Sequence, residues 1–166
     1  MGSRPNKINL ASNLEDLAYI AGFLDGDGSL MLQVKKRADI KKGWRLMATI
    51  CFYQDSRHDK PLDWIRKQLE IGYISKRNDG ITELRINGYD QVMNVLRKLL
   101  PYIKFKKRQA KLVIECLEFL RKKGKDLDTQ DHYKIIDWIL SIQDINYQSP
   151  HKKTRQDYIK LFGLTP

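Results

Sequence analysis

Residues 17–30 read LAYIAGFLDGDGSL, an apolar run that ends on two aspartates held between glycines. Upstream, Ser12 and Glu15 have the S-x-x-E spacing of a capping box, in which a hydroxyl and a carboxylate satisfy free backbone donors at a helix start. We therefore expect a helix that begins near Asn13 and ends at the glycines. The arrangement places a carboxylate at the end of a buried helix.

The apolar residues of this helix form a stripe, because they recur at intervals of three and four residues. The members of the stripe are Leu14, Leu17, Ala18, Ala21 and Leu24. Ala18 and Gly22 form a small-x-x-x-small pair on an overlapping face, which would let a second helix approach closely. A bare D-G-D-G turn is more often only the acidic end of an amphipathic helix, so the longer string has to decide its meaning.

The nonapeptide IAGFLDGDG at residues 20–28 resembles the signature of the LAGLIDADG homing endonucleases, with only apolar or small exchanges and both acids in place. The resemblance implies that two such helices pack side by side and that the second acid of each reaches a divalent metal at the scissile phosphates. Asp27 is that acid, and the Gly26 carbonyl is the expected second metal ligand. The residues expected at the helix contact are Ala18, Ala21, Gly22 and Asp25.

The composition points independently to a polyanionic partner. The chain has 31 Lys and Arg against 20 Asp and Glu, which gives a net charge of +11 on 166 residues. With 42% hydrophobic residues it can form one core, and we expect a tail over residues 1–12 and a single domain over residues 13–166. No apolar run approaches the ~20 residues of a membrane span, so we expect no membrane partner.

The compartment is predicted from the cysteines and the first residues. Cys51 and Cys116 are too few for a disulfide framework, and Met1–Leu10 lacks the apolar core of a secretory signal. These features predict a reducing intracellular location, either a prokaryotic cytoplasm or an organelle stroma or matrix. His132 and His151 lack ligand spacing with one another or with the cysteines, so we expect no structural zinc site.

The order of predicted elements is α-β-β-α-β-β-α-α with a further helix, which is an α+β fold. Two alternating stretches follow the motif, then a helix, then a hairpin turning at Asp79–Gly80. The predicted later elements are a helix over 61–70, strands over 72–77 and 81–87, and helices over 89–100, 107–123, about 131–145 and 155–162. From Leu14 to Glu118 this order resembles the α-β-β-α-β-β-α core of the homing-endonuclease family, with an antiparallel DNA-binding sheet.

The motif occurs once in the chain. One helix supplies one catalytic carboxylate, whereas cutting both DNA strands requires two, so the resemblance implies a homodimer. A two-fold symmetric dimer in turn implies a long, near-palindromic double-stranded DNA target.

One face of the predicted sheet is polar, and we expect it to contact bases in the major groove. Arginine, glutamine and glutamate are side chains that pair with guanine, adenine and cytosine edges. The alternative is an ordinary solvated surface. The residues assigned to DNA contact are Gln33, Lys35, Arg37, Arg45, Thr49, Ser75, Arg77, Glu83 and Arg85.

A basic cluster over residues 104–111 begins the helix predicted after Pro101. Cations are poorly placed near a helix N-terminus, where the dipole favours anions, and this conflict suggests a phosphate partner rather than only a solvated helix start. The segment resembles a P-x-x-K-x-K-x-x-Q-A stretch of the family, whose catalytic-site lysine corresponds to Lys106, with Lys104 as a neighbour.

Two further residues are assigned by the resemblance alone. Gln54 matches a glutamine that single-motif members use to order solvent around the nucleophile. Four residues later those members usually carry a basic side chain, and this chain has His58, which is either a pH-dependent solvent organiser or a surface residue.

The chemistry implied is metal-dependent phosphodiester hydrolysis without a covalent intermediate, leaving short 3′ overhangs. Mg²⁺ is the expected cofactor, with Mn²⁺ substituting and Ca²⁺ supporting binding without cleavage. Two alternatives share the fold: a maturase that binds intron RNA, and a catalytically inactive DNA-binding protein. Mg²⁺-dependent nicking of DNA carrying the uninterrupted host site would separate them.

Overall fold

The computed structural model describes residues 10–41, 43–146 and 152–165. It confirms the α+β class and the predicted element order. The elements are α1 (Leu10–Asp27), β1 (Gly28–Lys36), β2 (Trp44–Asp55), a 3-10 turn (Ser56–His58), α2 (Lys60–Leu69), β3 (Tyr73–Lys76), β4 (Ile81–Asn87), α3 (Tyr89–Leu99), α4 (Lys107–Lys123), α5 (Thr129–Ile145) and α6 (Arg155–Phe162). Among the described elements, only the 3-10 turn was not expected from the sequence.

The four strands form one antiparallel sheet in the order β1-β2-β4-β3. The two alternating stretches form a first hairpin, β1–β2, and the predicted hairpin is present as β3–β4. Strand β2 joins the two hairpins by pairing with β4 as well as with β1. Opposed pairs such as Ile50 with Ile86 and Phe52 with Leu84 share the face of the sheet that the helices cover. The two hairpins therefore present one continuous outer face on the other side.

The core lies between this inner face and the helices. The alternation predicted from the sequence is confirmed, because nine apolar inner-face residues of β1, β2 and β4 are at most 7% exposed. They are Leu30, Leu32, Val34, Leu46, Ala48, Ile50, Phe52, Leu84 and Ile86. Helix α1 contributes Ile20, Ala21 and Leu24, each 0% exposed, so this helix is anchored in the centre of the domain.

Helix α1 begins earlier than the capping pattern predicted. It starts at Leu10, so Ser12 lies inside the helix, and the expectation of a start near Asn13 was wrong. Leucine and alanine are among the best helix formers, and the Leu10–Ala11 pair continues the helix upstream of the capping pattern.

No connecting residue separates α1 from β1, since the helix ends at Asp27 and the strand begins at Gly28. A Cβ atom at Gly28 would lie 2.6 Å from the Leu24 Cδ1 atom and 2.8 Å from the Leu24 carbonyl oxygen. Only glycine therefore fits at this junction. The close approach holds Asp27 at the point where helix and strand meet.

The last two helices extend the core. The Asp128 and Asp131 side chains form a reciprocal cap at the start of α5. Trp44 packs against Phe162 of α6 with ring centroids 4.4 Å apart, which ties the C-terminal helix to the first hairpin. Cys51 and Cys116 are free and buried. Within the described ranges, none of the helices has the length and apolarity needed to cross a membrane.

Candidate active site and nucleic-acid interface

The two aspartates of the motif lie in different environments. Asp25 is 8% exposed, whereas Asp27 is on the surface. The Asp25 carboxylate accepts hydrogen bonds from the backbone N–H groups of Lys104 at 2.6 Å, Phe105 at 3.1 Å and Lys106 at 2.9 Å. Asp25 therefore joins the end of α1 to the segment before α4, and its assignment to an exposed helix contact was wrong.

These hydrogen bonds also change the interpretation of the basic cluster. Helix α4 has no acidic residue in its first turn and no side-chain cap at Lys106. The carboxylate of Asp25, supplied by another helix, takes the place of the missing anion next to this end. The chain therefore supplies its own anion at this helix N-terminus. The basic cluster by itself is no longer evidence for a bound phosphate.

Asp27 is chemically free. Its carboxylate has no hydrogen-bond or ion-pair partner among the described residues, and Gly26 beside it is also exposed. In the part of the chain that the structure describes, no three His, Cys, Asp or Glu side chains are close enough to hold a metal ion together. A carboxylate and a backbone carbonyl are hard oxygen ligands that suit Mg²⁺, but one chain alone offers too few of them.

Lys106 lies against the same helix end. Its Nζ atom donates a hydrogen bond to the Asp25 carbonyl oxygen, and the side chain is half-buried. Burial lowers the pKa of Lys106 below the usual lysine value, although the negative charges of Asp25 and Asp27 act in the opposite direction. Lys106 therefore lies within the electrostatic influence of the Asp27 carboxylate, and its catalytic role stays a prediction.

Gln54 and His58 lie at the same end of the sheet. Gly28 pairs with Phe52 at the end of the β1–β2 ladder. Asp27, which precedes Gly28, and Gln54, which follows Phe52 by two residues, therefore both lie at this end of the sheet. The Gln54 side-chain oxygen accepts the Asp55 backbone N–H at 2.9 Å, while His58 is exposed in the 3-10 turn. No hydrogen bond joins either residue to Asp27 or Lys106 within the described ranges, so their roles stay predictions.

Five of the nine residues assigned to DNA contact are exposed: Arg77, and on or beside the first hairpin Gln33, Lys35, Arg37 and Arg45. Arg37 is paired with Asp39 at 2.6 Å. Lys35 and Arg45 are direct cross-strand partners. Like charges directly opposite one another destabilise a sheet, so this pair is better accommodated next to an anion.

Two other assigned residues are not available for base contact. Thr49 is 5% exposed and donates its hydroxyl to the Asn87 side-chain oxygen at 2.8 Å. Glu83 is 4% exposed and forms ion pairs with Arg77 at 3.1 Å and Arg85 at 2.7 Å. Their alternation placed them on the correct face, but neighbouring side chains on that face cover them, so their assignment as base-contacting residues was wrong.

Four polar residues of the outer face were not expected from the sequence: Ser29, Tyr53, Tyr73 and Asn87. The Asn87 amide donates to the Tyr73 hydroxyl at 3.1 Å, and the Tyr53 hydroxyl is 2.9 Å from the Ser29 hydroxyl. Asn87 and Tyr73 continue the alternation that begins with Glu83 and Ser75, so the period of two could have found them. Tyr53 was missed because its strand is mostly apolar.

Part of the predicted helix contact is on the surface. Leu14, Ala18, Gly22 and Gly26 are all exposed and follow one another at intervals of four residues on α1, and we call them the outer row. A Cβ atom added at Gly22 or Gly26 would meet nothing within 4 Å. Ala21 is 0% exposed inside the domain, so its assignment to the helix contact was wrong.

The end of a central helix carries a free carboxylate and a lysine, and a basic antiparallel sheet lies beside it. This arrangement is typical of the endonucleases with a LAGLIDADG helix. The family model for LAGLIDADG endonuclease matches residues 20–116. The chain belongs to this family, whose members are metal-dependent DNA endonucleases.

Individual relatives agree with this assignment. The chain is 38% identical over 104 residues to DNA endonuclease I-CvuI of Chlorella vulgaris. The matched region covers 62% of this chain and 64% of the relative, which is less than two thirds of the relative's length. It is 28% identical over 149 residues to DNA endonuclease I-CreI of Chlamydomonas reinhardtii, covering 90% of both. The structure superposes on homing endonuclease I-CvuI in complex with its target in the presence of calcium, with a TM-score of 0.74 and 26% identity, covering 94% of this chain and 99% of the other.

Proposed function

We propose that this chain is a site-specific homing endonuclease that cuts both strands of a long, near-palindromic DNA target as a homodimer and leaves short 3′ overhangs. The observation that carries the proposal is the free, exposed Asp27 carboxylate at the end of a helix whose outer row is made mostly of small residues. Gly22 and Gly26 each cost about 0.5–1 kcal/mol of helix stability relative to alanine, and among the described residues no atom lies within 4 Å of a Cβ added at either position. A second copy of the chain packed closely against the outer row would require small residues at these two positions.

Such packing would bring two Asp27 carboxylates and two Gly26 carbonyls together at the dimer axis, next to DNA phosphate oxygens. These oxygens together form the ligand set that one chain lacks, and we propose Mg²⁺ as its ion, with Mn²⁺ substituting. When bound, the ion supplies Lewis-acid stabilisation and lowers the pKa of water. Ca²⁺ should support binding without cleavage.

The protein's own groups have separate tasks in this proposal. Lys106 would place a positive charge beside the scissile phosphate and stabilise the charge that develops there. Gln54, with His58 as a weaker candidate, would orient solvent at the same end of the sheet. The outer face of the sheet would contact the target through Gln33, Lys35, Arg37 and Arg45, with Ser75, Arg77 and Arg85 on the second hairpin.

The compartment follows from the thiols. Burial raises the pKa of the Cys116 thiol to about 12, and both cysteines are free. We propose a reducing intracellular location, such as an organelle stroma or matrix or a prokaryotic cytoplasm. Intron RNA is the second candidate partner, but no feature of the described residues favours it over DNA.

The proposal is tested with Asp27→Asn. This change removes a metal-binding charge but little contact with DNA, so we expect cleavage in Mg²⁺ to fall below detection while binding to the target in Ca²⁺ persists. Single-turnover cleavage and a gel-shift titration on the same target measure the two properties. Loss of target binding together with cleavage, in a variant that remains a folded dimer, would contradict the assignment of Asp27.

A further inference from the structure

The aromatic side chain of Phe105 lies outside the core of the domain. Phe105 is 85% exposed, although its backbone N–H is held by the Asp25 carboxylate at 3.1 Å. The ring is therefore presented to the outside from an anchored backbone. Its neighbours in sequence are Lys104 and Lys106, so the ring stands in a positively charged segment.

An apolar cleft of about 530 Å³ lies between α1 and α2. It is lined by Tyr19, Pro61 and Trp64, with Glu15 and Asp16 at its edge, and we call it the aromatic cleft. Tyr19 and Trp64 meet edge to face with centroids 5.6 Å apart, yet Tyr19 remains 59% exposed. The cleft is thus apolar inside and acidic at its edge.

We propose that Phe105 of one copy docks in the aromatic cleft of a second copy. The proposal rests on the homodimer proposed above and names an anchor for it. Aromatic side chains that fill a pocket supply a large share of the binding energy in many interfaces. In a two-fold dimer the contact forms twice, so each substitution removes two anchors.

Position and charge both support this occupant. Glu15 and Tyr19 are the residues that directly follow Leu14 and Ala18 of the outer row, so the aromatic cleft continues the surface on which the second copy would pack. Phe105 is attached to Asp25 of the same helix, six residues after Tyr19, which is about 9 Å along α1. Both halves of the contact therefore lie beside the helix that forms the dimer.

The charges are complementary as well. Lys104 is exposed beside Phe105, while Glu15 is exposed at the cleft edge. Charges of opposite sign across an interface favour the correct partner and orientation. An exposed aromatic ring between two lysines also suits DNA as a partner. The acidic residues at the edge of the aromatic cleft would repel DNA, so they favour a second copy of this chain as the partner of the cleft.

The first test is the dimer dissociation constant without DNA, measured by sedimentation equilibrium. We expect Phe105→Ala to raise this constant at least tenfold, since two buried rings are lost from each dimer. Tyr73→Ala is the matched control, because Tyr73 is an aromatic residue that is 47% exposed on the sheet, away from α1. It should leave the dissociation constant unchanged.

The second test reverses charges and avoids the core. A Glu15→Lys, Asp16→Lys variant and a Lys104→Glu variant should each dimerise at least tenfold more weakly than wild type. Mixed together, they should form heterodimers more tightly than either forms homodimers, because the basic cleft edge of one copy then meets the acidic segment of the other. Heterodimers no tighter than the weaker homodimer would overturn the docking.

The outcomes separate this inference from the proposed function. A wild-type chain that sediments as a monomer at all concentrations would overturn both the homodimer and the docking. A wild-type dimer that Gly22→Leu dissociates and Phe105→Ala does not would overturn the docking alone. The same holds if Phe105→Ala weakens DNA binding at an unchanged dimer dissociation constant, in which case Phe105 contacts DNA.

Discussion

The residue scale is illustrated by the two aspartates of one helical turn. Asp25 is buried and accepts three backbone N–H groups, while Asp27 is exposed and has no partner among the described residues. The same chemical group therefore serves the fold at one position and is available for chemistry two residues later. Their substitutions should separate stability from activity.

We expect Asp25→Asn to lower the free energy of unfolding by about 2 kcal/mol, because the amide carries no charge and offers one acceptor oxygen to three donors. Asp27→Asn is the matched control and should change stability by less than about 0.5 kcal/mol, as substitutions of exposed residues usually do. Denaturant titrations followed by tryptophan fluorescence measure both. Equal stability of the two variants would contradict the structural role of Asp25.

Lys106 should give the cleavage rate a pH dependence. Burial lowers its pKa, so the cation is fully present below that lowered value and is lost as pH rises through it. The single-turnover rate should therefore fall at alkaline pH, below the ordinary lysine pKa. In Lys106→Arg the guanidinium stays charged, and whatever activity remains should extend to higher pH.

Lys106→Met provides the control for this assignment. Its cleavage rate on saturated DNA should fall much more than its affinity for the target. A variant that cuts saturated DNA at the wild-type rate would make Lys106 an electrostatic anchor rather than a catalytic residue.

At the scale of elements, α1 combines two surfaces that have different requirements. Its inner side packs Ile20, Ala21 and Leu24 into the core, whereas a Cβ added at Gly22 in the outer row would meet no described atom within 4 Å. A change on the outer row should therefore affect association and spare the folding of each copy.

Gly22→Leu should weaken the dimer, because a branched side chain overfills a contact that requires close helix approach. The expected result is a dimer that dissociates at protein concentrations where wild type remains associated, measured by sedimentation velocity. Thermal unfolding of the dilute variant should show an intact domain. Unchanged dimerisation would remove Gly22 from the interface.

At the scale of the whole molecule, the feature that matters is the distribution of positive charge. Each copy carries a net charge of +11, and exposed cations such as Lys35 and Arg45 lie on the outer face of the sheet. Each cation that neutralises a phosphate contributes about −0.9 to the slope of log affinity against log salt for duplex DNA. The position of a lysine on the molecule should therefore determine its effect on this slope.

We expect Lys35→Met to flatten the slope by about 1.8, because a dimer loses two phosphate contacts of about 0.9 each. Lys122→Met is the matched control, since Lys122 is exposed on α4, which packs on the opposite side of the sheet. Its slope should equal that of wild type. The measurement is target binding in Ca²⁺ across a salt series, and equal slopes for both variants would contradict the proposed DNA face.

The sequence alone determined the family, the order of elements and the faces of the strands, because these follow from local patterns. The residues of IAGFLDGDG are adjacent, and the alternation of Leu30 and Leu32 with Gln33 depends only on the period of a strand. The helix bounds of α4 and α6 were predicted correctly for the same reason.

Only the tertiary structure decided which polar side chains are free. Asp25 is satisfied by backbone donors about 80 positions away in the chain, and Glu83 is closed off by Arg77 and Arg85 on its own face of the sheet. A carboxylate has the same identity whether it is paired or exposed, and pairing depends on what the fold brings next to it. Local spacing therefore located the helix end that holds Asp27, and long-range packing determined that Asp27 is its free acid.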